Sequence, residues 1–237
     1  MARKREVWVC RDCGGEQAKW QGRCPECGEW NTLEAFQPAA GPERAARGGG
    51  WTGARSTVTR LAEVEGVEHP RVPTGTGELD RVLGGGLVPG SVVLLGGSPG
   101  AGKSTLLLQV TCALAAARDV LYVTGEESLE QVALRARRLG LADAGLDLAA
   151  ETAVESILAH AERQRPEVLV TDSVQTLQVE GETGAPGGVT QVRESTAALV
   201  RFAKRTGTVV LLVGHVNKEG GLAGPKVLEH MIDASLM

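Results

Sequence analysis

Two groups of residues in this chain have the types and the spacing to do chemistry. The first is Gly97-Ser98-Pro99-Gly100-Ala101-Gly102-Lys103-Ser104, followed by Thr105, which satisfies G-x-x-x-x-G-K-[ST] at every specified position. A loop of this kind turns backbone N–H groups inward around a polyphosphate, and glycine is needed wherever φ must be positive. Lys103 offers a point charge to the β and γ phosphates of such a ligand, and the Ser104 hydroxyl is placed to ligate Mg2+. The second group is Cys10, Cys13, Cys24 and Cys27, in the order C-x2-C-x10-C-x2-C. Two such knuckles can present four thiolates tetrahedrally to one Zn2+, and with every position taken by protein the metal is structural. Gly14 and Gly28 follow the knuckles, where tight turns can aim N–H groups at the sulfurs. Disulfides or idle thiols are the alternative, and a reducing cytosol disfavours disulfides.

The phosphate loop requires a strand before it and a helix after it. Residues 91–96 form an apolar run that enters the loop, and Leu106, Leu107, Leu108 and Val110 make the segment beyond Lys103 an apolar helix whose positive end points at the anion. Upstream, residues 76–87 read as a short helix ended by glycines. Downstream, apolar runs of strand length at 120–124, 167–172 and 208–214 alternate with helical stretches at 128–139, 153–164 and 189–205. This alternation predicts an α/β fold with a mainly parallel sheet buried between helices. Ligands of such sheets bind at the carboxyl ends of the strands.

Three strand ends therefore carry candidate residues. Asp172 closes an apolar strand, the placement of a Walker B acid that holds Mg2+ through water; the alternative is an aspartate that caps a turn. Glu126 and Glu127 follow the 120–124 strand, and Ser128 with Gln131 forms a capping-box pattern that starts the next helix just after them. One glutamate can then face the γ phosphate and orient water, or both can be a solvated acidic pair. His215 ends the last run, as a phosphate-sensing or a structural histidine. Glycine-rich loops at 179–188 and 219–225, the latter bordered by Lys218 and Lys226, leave this edge as moving contacts for a polymer or as insertions. Cys112 falls in the apolar helix and reads as core.

The formal charge of −4 argues against a globally basic nucleic-acid coat, although residues 1–60 hold ten Lys/Arg against seven Asp/Glu. No apolar run reaches the length of a membrane span and no signal core follows the N-terminus, so a cytoplasmic protein without membrane contact is expected. The organisation expected is a zinc-binding module over 1–36, a flexible linker and lead-in rich in Gly, Ala, Pro and Arg over 37–71, and the α/β core over 72–237. Trp8, Trp20 and Trp30 surround the cysteines in sequence, and so small a module needs metal and aromatic packing together. Trp51 is the one linker residue that a spacer does not explain.

The four-cysteine motif, the linker, residues 74–86 and Gly96 to Thr105 together resemble the bacterial RadA (Sms) family of RecA-like DNA repair ATPases. The stretches 122–128, 214–220 and 224–230 are similar to it as well, so the resemblance spans nearly the whole chain. It implies a RecA-like P-loop NTPase with an N-terminal four-cysteine, zinc-ribbon-like module, using ATP, Mg2+ and Zn2+. It further implies a homo-oligomeric ring that moves on single-stranded DNA and extends branched recombination intermediates with a RecA-type recombinase as partner. Carried over by position, Lys103 and Ser104 bind nucleotide and metal, Asp172 is the Walker B acid, Glu126 is the catalytic base with Glu127 secondary, and the loops near 179–188 and 218–226 face DNA. The family's Lys-Asn-Arg-Phe-Gly motif and Lon-protease-like domain are not in these residues, so the core is expected to be C-terminally incomplete. Two other classes stay open: a RecA-like signalling ATPase that does not act on DNA, and a non-catalytic zinc-plus-nucleotide module.

Overall fold

A computed structural model describes residues 7–10, 15–36, 60–63, 70–182, 184–215 and 228–237. The N-terminal module is a three-stranded antiparallel sheet in which β1 (Val7–Cys10) lies between β2 (Glu16–Gln17) and β3 (Leu33–Phe36). It buries Val9, Cys10, Cys24 and Leu33, with Trp8 partly buried against the cysteines. Trp20 and Trp30, expected to join this packing, are instead 52% and 66% exposed. The cluster around the cysteines is completed by Leu33 and Trp8.

The larger unit is a six-stranded parallel sheet in the order β6-β5-β7-β8-β4-β9. Its central strands are β4 (Val92–Leu95), β5 (Val120–Thr124), β7 (Val168–Asp172) and β8 (Val209–Val213), all four foreseen from their apolar runs. Because side chains alternate across a strand, the two faces supply two cores. Val92, Leu94, Leu121, Val123, Leu169, Val210 and Leu212 face α4 (Val154–Gln164) and α5 (Val189–Thr206). Val93, Val120, Tyr122, Val168, Val170, Val209 and Leu211 form the second core with Leu107, Val110 and Leu114 of α2 (Lys103–Ala115), and Leu79 of α1 (Gly77–Val82) packs against it. Cys112 packs with Leu108 and with Val132 of α3 (Leu129–Arg138), so it is core as expected.

The edges differ from the centre. β6 (Asp147–Ala150) pairs with β5 at one edge, and its short Asp-Leu-Ala-Ala sequence carries no β-branched run to announce a strand. At the other edge, β9 (Ala234–Leu236) pairs in parallel with β4. Residues 233–237 read as a further core strand, but β9 is only partly covered and, among the described residues, has no neighbour on its far side. No helix among the described residues is long and apolar enough to cross a membrane.

Candidate active site

Parallel strands end at one edge of the sheet, and the tips of β4, β5, β7 and β8 bring the candidate residues together. After β4, the chain enters the phosphate loop. Gly100 and Gly102 adopt φ of 79° and 85°, a left-handed backbone that a side chain would oppose. Gly102 is the N-cap of α2, so the N–H groups of the helix start at the loop, with Ser104 and Thr105 in its first turn. Ser98, Pro99 and Ala101 are exposed at the loop surface. Lys103, by contrast, is buried, and its Nζ donates to the carbonyls of Gly97 at 2.8 Å and Ser98 at 3.0 Å.

The tip of β7 supplies Asp172, only 6% exposed. Its Oδ2 accepts a 2.8 Å hydrogen bond from the Tyr122 hydroxyl of β5, whereas Oδ1 is buried and has no partner among the described residues. A buried carboxylate oxygen without a donor is costly unless something cationic meets it. That donor set, a buried carboxylate oxygen beside a phosphate loop carrying Ser104, fits Mg2+ held through oxygen ligands. Burial, and then the charge of Asp172, push the Tyr122 phenol well above its ordinary range, so it remains a donor.

β5 ends in Thr124, and the chain turns at Gly125, where a Cβ would collide with Thr176 Oγ1. Beyond this turn Glu126 and Glu127 diverge. Thr124 Oγ1 accepts the Glu127 N–H at 3.0 Å and donates to its carbonyl at 2.9 Å, and the Glu127 carboxylate pairs with Arg135 of α3. Glu126 goes the other way, accepting from the Ser173 hydroxyl and lying 3.0 Å from His215 Nε2. Desolvation pushes the Glu126 carboxyl up, but the hydrogen bonds from Ser173 and His215 and the charges of His215 and Lys103 outweigh it, leaving the group below the ordinary carboxylate range. The other ring nitrogen of His215 is 3.3 Å from Lys103 Nζ, so the histidine at the tip of β8 bridges the loop lysine and Glu126. The capping box is present as read: Ser128 Oγ accepts from Gln131 N at 3.4 Å and Gln131 Oε1 accepts from Ser128 N at 2.8 Å, fixing α3 just after the glutamates.

The sequence pointed to Lys103, Ser104, Asp172 and Glu126, and these stand at the same edge of the sheet. It missed Tyr122, Ser173 and Arg135. Ser173, directly after the acid that ends β7, carried a signal by position. Tyr122 and Arg135 carried none, because each acts across elements. Of the glycine loops, 179–188 is anchored at its start: Gln191 of α5 accepts from Val179 N at 2.7 Å and donates to the Glu182 carbonyl at 3.1 Å. The loop at 218–226 lies outside the described residues.

In the N-terminal module, Cys10, Cys24 and Cys27 place their sulfurs within 4.8 Å of one another, with Cys10 and Cys27 Sγ 3.6 Å apart. Four sulfurs tetrahedral about zinc at about 2.3 Å stand roughly 3.8 Å apart, so the cluster has the dimensions of a zinc site. Cys13 and Gly14 lie outside the described residues. Gly28 makes the turn expected of it, at φ 79°, but its N–H donates to the Cys24 carbonyl at 2.9 Å.

A protein-family model described as an AAA domain matches residues 59–221. The chain belongs to the AAA domain family. A second model, described as a rubredoxin metal binding domain, matches residues 8–35 and agrees with the cysteine cluster as a zinc ribbon. Among curated proteins, the DNA repair protein RadA of Pseudomonas aeruginosa is 55% identical over 236 residues, covering 100% of this chain and 52% of the relative. The RadA proteins of Escherichia coli and Bacillus subtilis are 49% and 46% identical, covering 98% and 100% of this chain and 52% of each relative. The chain thus spans about half the length of the curated relatives it matches, and the resemblance to RadA read from its motifs is borne out.

Proposed function

We propose that this chain is the zinc module and nucleotide-hydrolysing core of a DNA repair ATPase, divided as 1–36, 37–71 and 72–237. The observation that carries the reading is the convergence of Lys103, Asp172, whose Oδ1 is buried without a partner among the described residues, and the His215-bound Glu126 at the carboxyl edge of one parallel sheet. The loop of residues 97–105 cradles the phosphates of ATP through backbone N–H groups, and Lys103 adds the cation opposite developing negative charge. Ser104 and Asp172 hold Mg2+, which neutralises charge on the phosphates when bound. Glu126, kept ionised by Ser173 and His215, orients water and accepts its proton. Glu127 serves secondarily, its carboxylate tying the strand tip to α3 through Arg135. Cys10, Cys13, Cys24 and Cys27 hold one structural Zn2+.

The relatives bear the name DNA repair protein RadA, and that name supports a wider role. In this reading the whole protein works in the cytoplasm as a homo-oligomeric ring, a motor on single-stranded DNA that drives branch migration of recombination intermediates with a RecA-type recombinase. The loops near 179–188 and 218–226 touch the DNA. An ATPase assay on the purified protein, with and without Mg2+ and single-stranded DNA, tests both levels. Turnover that needs Mg2+ and rises with DNA is expected. Mg2+-dependent turnover indifferent to DNA overturns the motor and leaves a signalling ATPase, and nucleotide binding without turnover overturns the enzyme.

A further inference from the structure

Tyr122 is a fully buried residue of β5, paired with Leu148 and Val170 on the neighbouring strands, in a core cluster whose other members are aliphatic. Phenylalanine would fill that space, and a buried hydroxyl is costly there unless it finds an acceptor. The sheet register supplies one. Tyr122 is opposite Val170 and Thr124 is opposite Asp172, so Tyr122 and Asp172 are diagonal neighbours on the same face, within reach of an aromatic side chain. The phenol donates to Asp172 Oδ2 at 2.8 Å, and Oδ1 of the same carboxylate is buried without a partner among the described residues.

The geometry points to Tyr122 as a positioning residue for the metal-binding acid: its hydroxyl engages one carboxylate oxygen and fixes the rotation of Asp172, which leaves Oδ1 as the oxygen offered to the divalent cation. This rests on the reading of Asp172 given above, and deepens it by naming what orients the ligand. Partners that orient a metal ligand typically carry about 10- to 100-fold in metal affinity. Without the phenol, the carboxylate of Asp172 turns freely about its last torsion and both oxygens compete for whatever donor or cation is near.

The test is Mn2+ affinity in the presence of ADP, followed by the electron paramagnetic resonance of free Mn2+, which needs no turnover. Tyr122→Phe keeps the ring and removes only the hydroxyl. It is expected to weaken Mn2+ binding about tenfold, leave ADP affinity in EDTA unchanged, and shift the melting temperature little. Asp172→Asn is expected to weaken Mn2+ binding more, and Tyr122→Phe added to Asp172→Asn should then change nothing further. If Tyr122→Phe binds Mn2+ as the parent does while Asp172→Asn does not, the positioning role is overturned and the metal site stands. If Asp172→Asn also binds as the parent does, the metal site fails and the inference with it. A Tyr122→Phe effect that persists undiminished beside Asp172→Asn also overturns the role, since the hydroxyl would then act on something other than this carboxylate.

Discussion

Glu126 and Glu127 are adjacent in sequence and reach in opposite directions, Glu126 to Ser173 and His215 at the sheet edge and Glu127 to Arg135 on the neighbouring helix. The Thr124 hydroxyl, bonded to both backbone groups of Glu127, holds the turn that separates them.

This divergence predicts different losses at the two positions. Glu126→Gln should keep ATP affinity and lower hydrolysis roughly 10²-fold or more, the scale of a lost general base. Glu127→Gln should chiefly destabilise the fold, because Arg135 Nη1 is already buried without a partner among the described residues and the variant removes the charge opposite its other nitrogen. Single-turnover hydrolysis beside thermal melts separates the two outcomes, and a dead Glu127→Gln with an active Glu126→Gln exchanges the roles.

Lys103→Ala removes the cation that the phosphate loop carries at its core. Hydrogen bonds to charged groups contribute about 1.5–3 kcal/mol, so nucleotide affinity should fall roughly 10- to 100-fold. Titration of a fluorescent ATP analogue measures this directly, and an affinity equal to the parent's removes the loop from the binding site.

The pH dependence of turnover should expose the donors to Glu126. Its carboxyl is held below the ordinary range, so it is ionised, and competent as a base, down to pH values beneath that range. Ser173→Ala deletes one of the hydrogen bonds that favour the charged form, so the folded-state value rises and the acidic limb of the profile moves to higher pH. An acidic limb that stays in place in Ser173→Ala would show that another group sets it.

All four tryptophans precede the α/β core, at positions 8, 20, 30 and 51. Their fluorescence therefore reports on the N-terminal region alone. A strong chelator should red-shift the emission contributed by Trp8, the tryptophan packed against the cysteines, as the cluster loses its metal, while the helical circular dichroism and nucleotide binding of the core persist. Metal analysis should find one zinc per chain, and protein purified without zinc whose emission ignores the chelator refutes the site.

Much of this architecture was legible because its signals are local. An apolar run entering a glycine loop, Asp172 at the end of another, and Ser128 three residues before Gln131 each declare themselves within a few positions, and each stands where it was read. What escaped depends on contacts across the sheet. Tyr122 matters through a residue 50 positions away, and Arg135 through one on the preceding strand tip. The exposure of Trp20 and Trp30 was equally hidden, since clustering in sequence does not say which side chains share one small interior. β6 went unread because an edge strand needs little apolar sequence, being buried on neither face fully.

The strand order also writes a length into the molecule. β8 stands between β7, which ends in Asp172, and β4, which opens the phosphate loop. Two strand spacings amount to about 9–10 Å, a gauge set by backbone hydrogen bonds rather than by side chains. The acid and the loop are thus held apart by a ruler that point substitutions in the site leave untouched, and only a change in which strands are neighbours could recalibrate it.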